Sequence, residues 1–339
     1  MKRIFLIILV LYSSILIESC NQNQSKSTDN TKEGFYPEVV KVGHLVALDM
    51  APLFLAKELG YFKEEGIDIE TVFFSNPGDN NAALAGGSIK FSTNPFTLPY
   101  FAANSGIPMK IISTAGGIGI MQVIIQGSFN VETIEQLVKY IKAHPNQKLR
   151  IGVLKGDTLE MIVYKILTNN GLSYNDVEMI WFNDLLAMVQ SFETKQIDIL
   201  SHIKPYTTNF IVNHGAKALS DNSQVWGYGS PNCTVAVMDE FYTKYPKTVK
   251  AYLRGLYRGF KFYIDNPEEA AEILDKGHYY KVDKNVLIYA FKNQPKQVVL
   301  KPEGMQAAID DMVTAKYIDK PKTDIVKLEI LNDVLNEFK

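Results

Sequence analysis

Beyond residue 37 the sequence alternates short apolar runs with segments in which apolar residues recur three and four positions apart. The apolar runs predict strands, and the periodic segments predict helices. The predicted strands are residues 39–46, 67–74, 89–92, 109–113, 121–126, 149–154, 177–182, 197–201 and 234–238. Such alternation is typical of α/β proteins built on parallel sheets, and 339 residues are enough for two such units.

The composition excludes several classes of protein. The chain has 35 basic and 37 acidic residues and a formal net charge of −2, which disfavours a dedicated nucleic-acid binder. Its two cysteines are too few for a disulfide scaffold or a multi-cysteine metal cluster. Its five histidines are scattered without a metal-binding spacing. We therefore expect no metal site, no cofactor and no nucleic-acid partner.

The N-terminus has the pattern of an export signal. Lys2 and Arg3 precede an uncharged stretch at 4–17. This stretch is too short to span a bilayer comfortably, because a membrane-spanning helix needs about 20 apolar residues. We therefore predict a signal peptide at residues 1–19.

The next segment predicts an anchor and a tether. Residues 17–20 end in Cys20 and resemble a bacterial lipobox, so we expect lipid on Cys20. A plain signal peptide that is cut nearby is the alternative. Residues 21–34 contain no aliphatic or aromatic side chain, so we expect a lipidated, flexible tether at 20–37.

One run of residues carries a family resemblance. Residues 51–62 read APLFLAKELGYF, and residues 66–70 read GIDIE. This run resembles the opening of the NMT1/THI5-like (SsuA/TauA-like) substrate-binding proteins of ABC importers for sulfonates, taurine, nitrate and thiamine precursors. Further stretches agree with that family in order, and the resemblance covers residues 38 to 320. These stretches are ALAGGSIKF at 83–91, GIPMK at 106–110, QIDI at 196–199 and KYPKTVK at 244–250.

The resemblance implies a type II periplasmic-binding-protein fold, in which two crossovers join two α/β lobes and a cleft lies between the lobes. We expect residues 38–125 and 228–339 to form the first lobe and residues 126–227 to form the second. The interrupted pattern places the crossings at Gly127 and Gly227.

The loops after the strands are the predicted ligand-binding region. In open parallel sheets, ligands bind beyond the carboxyl ends of the strands, where helix N-termini present unpaired N–H groups. The candidate ligand-binding residues are Asp49, Met50, Asn76, Thr93, Asn94, Thr114, Gly116, Asp157, Thr158, Asn183, His202, Tyr206 and Trp226.

Each kind of candidate has a structural alternative. Asp49 and Asp157 precede helices, where aspartate is a common N-cap. Gly116 has the surroundings of a turn, and Trp226 lies at a crossover, where it can pack against the hinge. Thr93 and its neighbour precede a proline, which can simply end the strand.

The arginines constrain the cargo that the resemblance implies. Four of the 35 basic residues are arginine. Arg150 begins a strand at the end away from the cleft, and Arg254 and Arg258 lie on a long helix. None is placed to hold an anion with two hydrogen bonds, so we expect a small cargo of little charge.

The resemblance implies a lipid-anchored receptor that faces the periplasm or the cell exterior of a bacterium. It would capture a small molecule and deliver it to an ABC permease with a cytoplasmic ATPase, and we expect a monomer. The alternatives are a THI5-like, pyrimidine-synthesising enzyme and a ligand-sensing lipoprotein without a transport role. An enzyme is disfavoured because Cys233 is solitary, and an unpaired thiol in an exported protein is more often a buried small hydrophobe than a reactive group.

Overall fold

The structure, a computed structural model, describes residues 33–294, 296–321 and 324–339. The predicted signal peptide at 1–19 and the predicted lipidation site Cys20 lie outside the described residues, as does the tether up to residue 32. None of the helices within those ranges is long and apolar enough to cross a membrane.

Ten strands of the described chain form two mixed sheets. They are β1 (Val40–His44), β2 (Ile69–Phe73), β3 (Phe91–Pro95), β4 (Met109–Thr114), β5 (Met121–Ile125), β6 (Arg150–Leu154), β7 (Glu178–Phe182), β8 (Ile199–Ile203), β9 (Lys217–Asp221) and β10 (Cys233–Met238). The first sheet has the order β2-β1-β3-β10-β4, and the second has the order β7-β6-β8-β5-β9. Each sheet, together with the helices that pack on it, is here called a lobe. The two lobes confirm the predicted two-lobe α/β class.

The helices before β10 connect successive strands, and those after β10 follow one another along the described chain without a further strand between them. They are α1 (Ala51–Glu58), α2 (Tyr61–Glu64), α3 (Pro77–Ala85), α4 (Thr97–Asn104), α5 (Ile134–Ala143), α6 (Thr158–Asn169), α7 (Leu185–Glu193), α8 (Tyr206–His214), α9 (Asn222–Trp226), α10 (Asp239–Lys244), α11 (Pro246–Asp265), α12 (Pro267–Lys276), α13 (Lys284–Lys292), α14 (Met305–Thr314) and α15 (Glu329–Glu337).

One strand in each sheet runs against its neighbours. β10 is antiparallel to β3 and β4, and β5 is antiparallel to β8 and β9. The remaining pairs are parallel. Both exceptional strands come directly from the other lobe, so they start at the edge where the parallel strands end. The expectation of parallel sheets is therefore wrong for these two strands.

The chain crosses from the first lobe to the second earlier than predicted. β4 ends at Thr114 and β5 starts at Met121 in the second sheet, so the crossing is residues 115–120 and not Gly127. The predicted first-lobe range 38–125 therefore includes one strand of the second sheet. The crossing is tight because Gly116 and two further glycines, Gly117 and Gly119, have positive φ values of +117°, +83° and +59°. The return lies between α9 and β10, at Gly227 and the five residues after it.

The long helix α11 fixes the position of β3 and α1 in the first lobe. Tyr252 of α11 is fully buried, and its ring stacks on Phe91 of β3 with centroids 4.1 Å apart. A Cβ at Gly259 would lie 2.1 Å from the carbonyl oxygen of Pro52, so the helix backbones of α11 and α1 can approach this closely only because glycine stands there. This packing holds the start of α1, and with it the loop after β1, in one place.

The segment from 302 to 318, here called the strap, joins the C-terminal part of the chain to the second lobe. Asp311 of α14 accepts from Lys165 of α6 at 2.6 Å and from the indole nitrogen of Trp226 at 2.9 Å. Tyr317 donates to Glu160 of α6. The chain then returns to the first sheet, where Val326 forms a bridge with Ile111 of β4. The predicted first-lobe range 228–339 therefore contains a segment that packs on the second lobe.

Candidate ligand-binding cleft

A small cavity lies where the ends of the parallel strands of both sheets meet. Its volume is about 10 Å³. This is room for about one water molecule, so the two lobes are closed on each other. The lining residues are Leu45, Ala47, Pro77, Pro95, Asn232 and Cys233 from the first lobe and Asp157, Leu159, Leu185 and Ile203 from the second.

Hydrogen bonds between the lobes border this cleft. The side-chain nitrogen of Asn76 donates to the carbonyl oxygen of Asn183 at 2.9 Å. The backbone N–H of Leu48 donates to the carbonyl oxygen of Lys204 at 2.8 Å. Asn76 is also the N-cap of α3, because its Oδ1 accepts from Gly78 N at 2.6 Å. The predicted residues Asn76 and Asn183 thus meet across the cleft.

Asp49 is buried in a short 3₁₀ turn between β1 and α1. Its Oδ2 accepts from Cys233 N at 3.0 Å and from the side chain of Asn232 at 3.2 Å, whereas Oδ1 has no partner. Burial raises the pKa of this carboxyl to about 7, and the bond from Cys233 N opposes the rise. Asp49 does not cap α1, so the N-cap interpretation is wrong for this residue.

Asp157 combines the two roles considered for it. Its Oδ1 accepts from Leu159 N at 2.9 Å as the N-cap of α6, and it also accepts from the hydroxyl of Thr158 at 3.0 Å. Its Oδ2 has no partner, and the residue lines the cavity. Burial raises the pKa of Asp157 to about 6, and the negative charge of Glu160 adds to the rise.

Cys233 lines the cavity together with Asp157, and its backbone N–H donates to Asp49. Its thiol is buried, and burial raises its pKa well above the usual value. The charges of Asp49 and Asp157 raise the same pKa further. Asp49 likewise raises the pKa values of Tyr263 and Tyr280, after burial as the main cause. The cleft therefore contains one buried acid from each lobe.

Three predicted residues support the cavity from behind its lining. Asn94 donates to the carbonyl oxygen of Pro77 at 2.9 Å. His202 contacts the carbonyl oxygen of Leu185 through Nε2 at 2.9 Å, and burial lowers its pKa to about 4, so its ring is neutral at pH 7. Tyr206 packs edge-on against His202 with ring centroids 5.6 Å apart, and burial raises its pKa to about 12. These side chains position the backbone that lines the cavity.

The remaining predicted residues serve packing. The sulfur of Met50 accepts from Leu45 N at 3.1 Å within the turn after β1. Thr93 is buried in β3, the strand on which Tyr252 of α11 packs through Phe91. The hydroxyl of Thr114 donates to the carbonyl oxygen of Val299 at 2.7 Å.

Gly116 and Trp226 are also structural. A Cβ at Gly116 would lie 2.5 Å from the ring of Phe260. Trp226 is buried against the strap through Asp311, as in the hinge-packing alternative. Neither residue lines the cavity.

Sequence reasoning missed Asn232 and Cys233, which complete the site. They lie at the N-terminal end of β10, whereas the rule for parallel sheets points only to the carboxyl ends of strands. An apolar run that directly follows a crossover is the signal that could have found them, because such a strand must begin at the cleft.

The described arginines all have carboxylate partners away from the cavity. Arg150 pairs with Asp198 at 2.7 Å, and Arg254 pairs with Glu65 at 2.8 Å. Arg258 pairs with Glu64 at 2.5 Å. In the ranges that the structure describes, no group of three histidine, cysteine or acidic side chains is placed to hold a metal ion.

The topology and the interlobe cleft define the periplasmic-binding-protein class of fold, with the reversed strands β5 and β10 where the chain changes lobe. Residues 35–275 match the NMT1-like family, which is most of the chain, and the protein therefore belongs to that family.

The similarity of this chain to known binding proteins is consistent with this family and fold. The chain is 23% identical to the formylaminopyrimidine-binding protein of Halalkalibacterium halodurans over 282 residues, which are 80% of this chain and 78% of that protein. The structure matches the periplasmic nitrate-binding protein NrtA from Synechocystis PCC 6803 with a TM-score of 0.75, 18% identity and coverage of 89% of each chain. It also matches the alkanesulfonate-binding protein SsuA from Xanthomonas axonopodis pv. citri, bound to MOPS, with a TM-score of 0.71, 16% identity and coverage of 86% of this chain and 99% of that one. The predicted resemblance and fold class are confirmed.

Proposed function

We propose that the protein is the extracytoplasmic substrate-binding component of an ABC importer, which captures a small molecule between its lobes and delivers it to a permease. The observation that carries the proposal is the cavity between the strand ends of two lobes, with a buried carboxyl from each lobe. Membership of the NMT1-like family supports it, as do the binding functions named for its relatives.

Capture requires the lobes to open. A cavity with room for about one water molecule cannot admit even a small heterocycle in the closed state. The chain crossings at 115–120 and after Trp226 are the places where the backbone can rotate as the lobes separate. A ligand that contacts both lobes favours closure, because it binds the closed state better than the open one.

The predicted N-terminal features complete this proposal. A signal peptide at 1–19 would direct export, and lipid on Cys20 would hold the protein at a bacterial membrane facing the periplasm or the cell exterior. The partners would be a permease and its cytoplasmic ATPase, and the receptor would act as a monomer. Mass spectrometry of the mature N-terminus tests this part: an unmodified N-terminus beyond residue 20 would contradict it.

A binding role is favoured over a pyrimidine-synthesising enzyme. Cys233 is buried, and the raised pKa of its thiol keeps it protonated and unreactive at neutral pH. Incubation of the purified protein with a small-molecule extract of its host, followed by mass spectrometry, tests the alternative; a pyrimidine product that forms only when the protein is present would favour the enzyme.

The binding proposal is tested by thermal unfolding with a panel of small molecules. The panel contains nitrate, taurine, MOPS, aminopyrimidines and riboflavin. A ligand at a hundredfold excess over its Kd adds about 2.7 kcal/mol to the stability of the folded state, which is readily measured. If no compound raises the unfolding temperature and native mass spectrometry of protein from its host finds no bound small molecule, the proposal is wrong.

A further inference from the structure

Two buried carboxyl oxygen atoms at the cleft lack the hydrogen bond that buried acceptors normally have. They are Oδ1 of Asp49 in the first lobe and Oδ2 of Asp157 in the second. The side chains are 1% and 2% exposed, so bulk water does not supply the missing donor. Leaving a buried carboxyl oxygen unpaired is costly, and such atoms in a binding cleft mark where a ligand can donate.

The fold holds both carboxyls in fixed orientations. The second oxygen of Asp49 is bound by Cys233 N at 3.0 Å and by the side chain of Asn232 at 3.2 Å. The second oxygen of Asp157 is bound by Leu159 N at 2.9 Å. One oxygen of each carboxyl accepts from a backbone N–H, so the orientation of the other oxygen is fixed before any ligand binds.

The two free oxygens belong to one site. Asp157, Asn232 and Cys233 line the same cavity, and Asp49 is bonded to the latter two residues. A small molecule that enters when the lobes open therefore lies between residues of both lobes.

Among the hydrogen bonds and ion pairs of the described chain, no cationic side chain contacts either acid. Burial lowers the pKa of Lys204, at the end of β8, and the negative charge of Asp221 opposes this shift. The ring of His202 is neutral because burial lowers its pKa. The described arginines pair with other carboxylates. The cleft therefore offers hydrogen-bond acceptors and negative charge, which suit a donor and repel an anion.

We propose that the cleft binds a small neutral or cationic molecule whose amino or amidino N–H groups donate to Asp49 and Asp157 together, so that the ligand joins the two lobes. The inference rests on the proposed function and narrows its cargo. Nitrate, for which one structural relative is named, has no N–H group to offer, so the inference excludes it as cargo.

Isothermal titration calorimetry at pH 7.5 tests the inference with two sets of probes. The donor set is 4-amino-5-hydroxymethyl-2-methylpyrimidine, benzamidine and putrescine; the control set is 5-hydroxymethyl-2-methylpyrimidine, which lacks the amino group, together with nitrate and methanesulfonate. We expect a donor probe to bind. If that probe is the aminopyrimidine, it should bind at least about tenfold more tightly than the pyrimidine without the amino group.

Variants identify the two carboxyls. Asp49→Asn and Asp157→Asn should each weaken binding of the donor probe at least about tenfold. Asp176→Asn removes an exposed carboxylate of the second lobe outside the cleft and should bind as the unmodified protein does. Thermal unfolding confirms that each variant is folded, and the comparison of the two pyrimidines needs no variant.

The outcomes separate this inference from the proposed function. Binding of an anionic probe, or of a donor probe with unchanged affinity in both asparagine variants, overturns the inference and leaves the binding role intact. Absence of binding by every probe overturns the inference. If native mass spectrometry also finds no small molecule in protein from its host, the proposed function fails with it.

Discussion

Gly116 is required for the conformation of the crossing at residues 115–120. Its φ of +117° is strained for any side chain, and a Cβ would lie 2.5 Å from Phe260. We expect Gly116→Ala to lower the free energy of unfolding by about 3 kcal/mol, because backbone strain and steric overlap add. Denaturation by urea measures this loss.

Gly87 provides the matched control. It has a φ of +75°, but no atom lies within 4 Å of the position that a Cβ would take. Gly87→Ala should therefore lower the free energy of unfolding by only about 1 kcal/mol, because it introduces backbone strain without steric overlap. Equal losses at Gly116 and Gly87 would show that the contact with Phe260 is unimportant.

The buried acid Asp49 should make the stability of the ligand-free protein depend on pH. Its pKa is raised in the folded state from 3.8 to about 7, so folding favours its protonated form. The stability linked to this proton is fully present below about pH 3.8 and is lost as the pH rises from there through about 7. The loss is at most about 4 kcal/mol, because opening of the lobes rehydrates the carboxyl.

Urea denaturation at pH 4.5, 6 and 8 measures this effect. The amide that the substitution Asp49→Asn introduces cannot ionise, so this variant should gain stability relative to the unmodified protein as the pH rises. Asp157→Asn should show a smaller gain, since the pKa of Asp157 is raised only to about 6. A difference between variant and unmodified protein that is constant with pH would contradict the assignment of these carboxyls as buried acids.

The strap joins the C-terminal part of the chain to the second lobe, a contact that the strand pattern does not predict. Asp311 is buried and holds both Lys165 and Trp226 of the second lobe. Asp311→Ala should lower the free energy of unfolding by about 2–3 kcal/mol, because it leaves the Lys165 ammonium and the buried indole N–H without an acceptor. Hydrogen exchange should become faster in the strap.

Asp310→Ala is the control on the same helix. The Asp310 side chain is exposed and bonded to Gln306 on α14. Its removal should change the stability by less than about 0.5 kcal/mol. If both variants behave alike, the strap is not held to the second lobe through Asp311.

The elements differ in how far their sequences predict them. Residues 247–264 predict a helix, and α11 spans Pro246–Asp265, because a long apolar stripe and a proline at its start agree. β9 (Lys217–Asp221) escapes prediction because it is an edge strand with a single buried side chain, Leu219. α8 (Tyr206–His214) escapes because its β-branched and aromatic residues favour strand locally, and packing overrides that preference.

For the whole molecule, Asn76 offers a test of the closed state. Asn76→Asp keeps an oxygen to cap α3 but cannot donate to the carbonyl oxygen of Asn183. Loss of this bond between the lobes should raise the open fraction about fivefold. The rate at which iodoacetamide alkylates Cys233, followed by mass spectrometry of its peptide, measures this fraction because the thiol is buried in the closed cleft.

Asp79→Asn controls for charge in the first turn of the same helix. Asp79 is exposed, and its side chain has no partner in the second lobe among the hydrogen bonds and ion pairs of the described chain. Alkylation should proceed at the rate of the unmodified protein. An Asn76→Asp protein that is alkylated no faster would show that this bond does not hold the lobes together.

The two lobes and the edge of the sheets at which the cleft lies follow from the sequence, because alternating patterns and the rule for parallel sheets act locally. Asp157 and Asn76 are predicted in this way. Asn232 and Cys233 are not, because their position depends on the direction in which β10 enters the sheet. That direction follows from where the chain crosses between lobes, and the crossing at 115–120 is a property of the assembled fold.

The small volume of the closed cavity has a kinetic consequence. The cavity has room for about one water molecule, so a small organic molecule can enter or leave only when the lobes separate. Dissociation can then be no faster than the opening of the lobes. The lifetime of the complex is set by bonds such as that from Asn76 to Asn183 as well as by the contacts of the cargo, so any surface that pulls the lobes apart decides when the cargo is released.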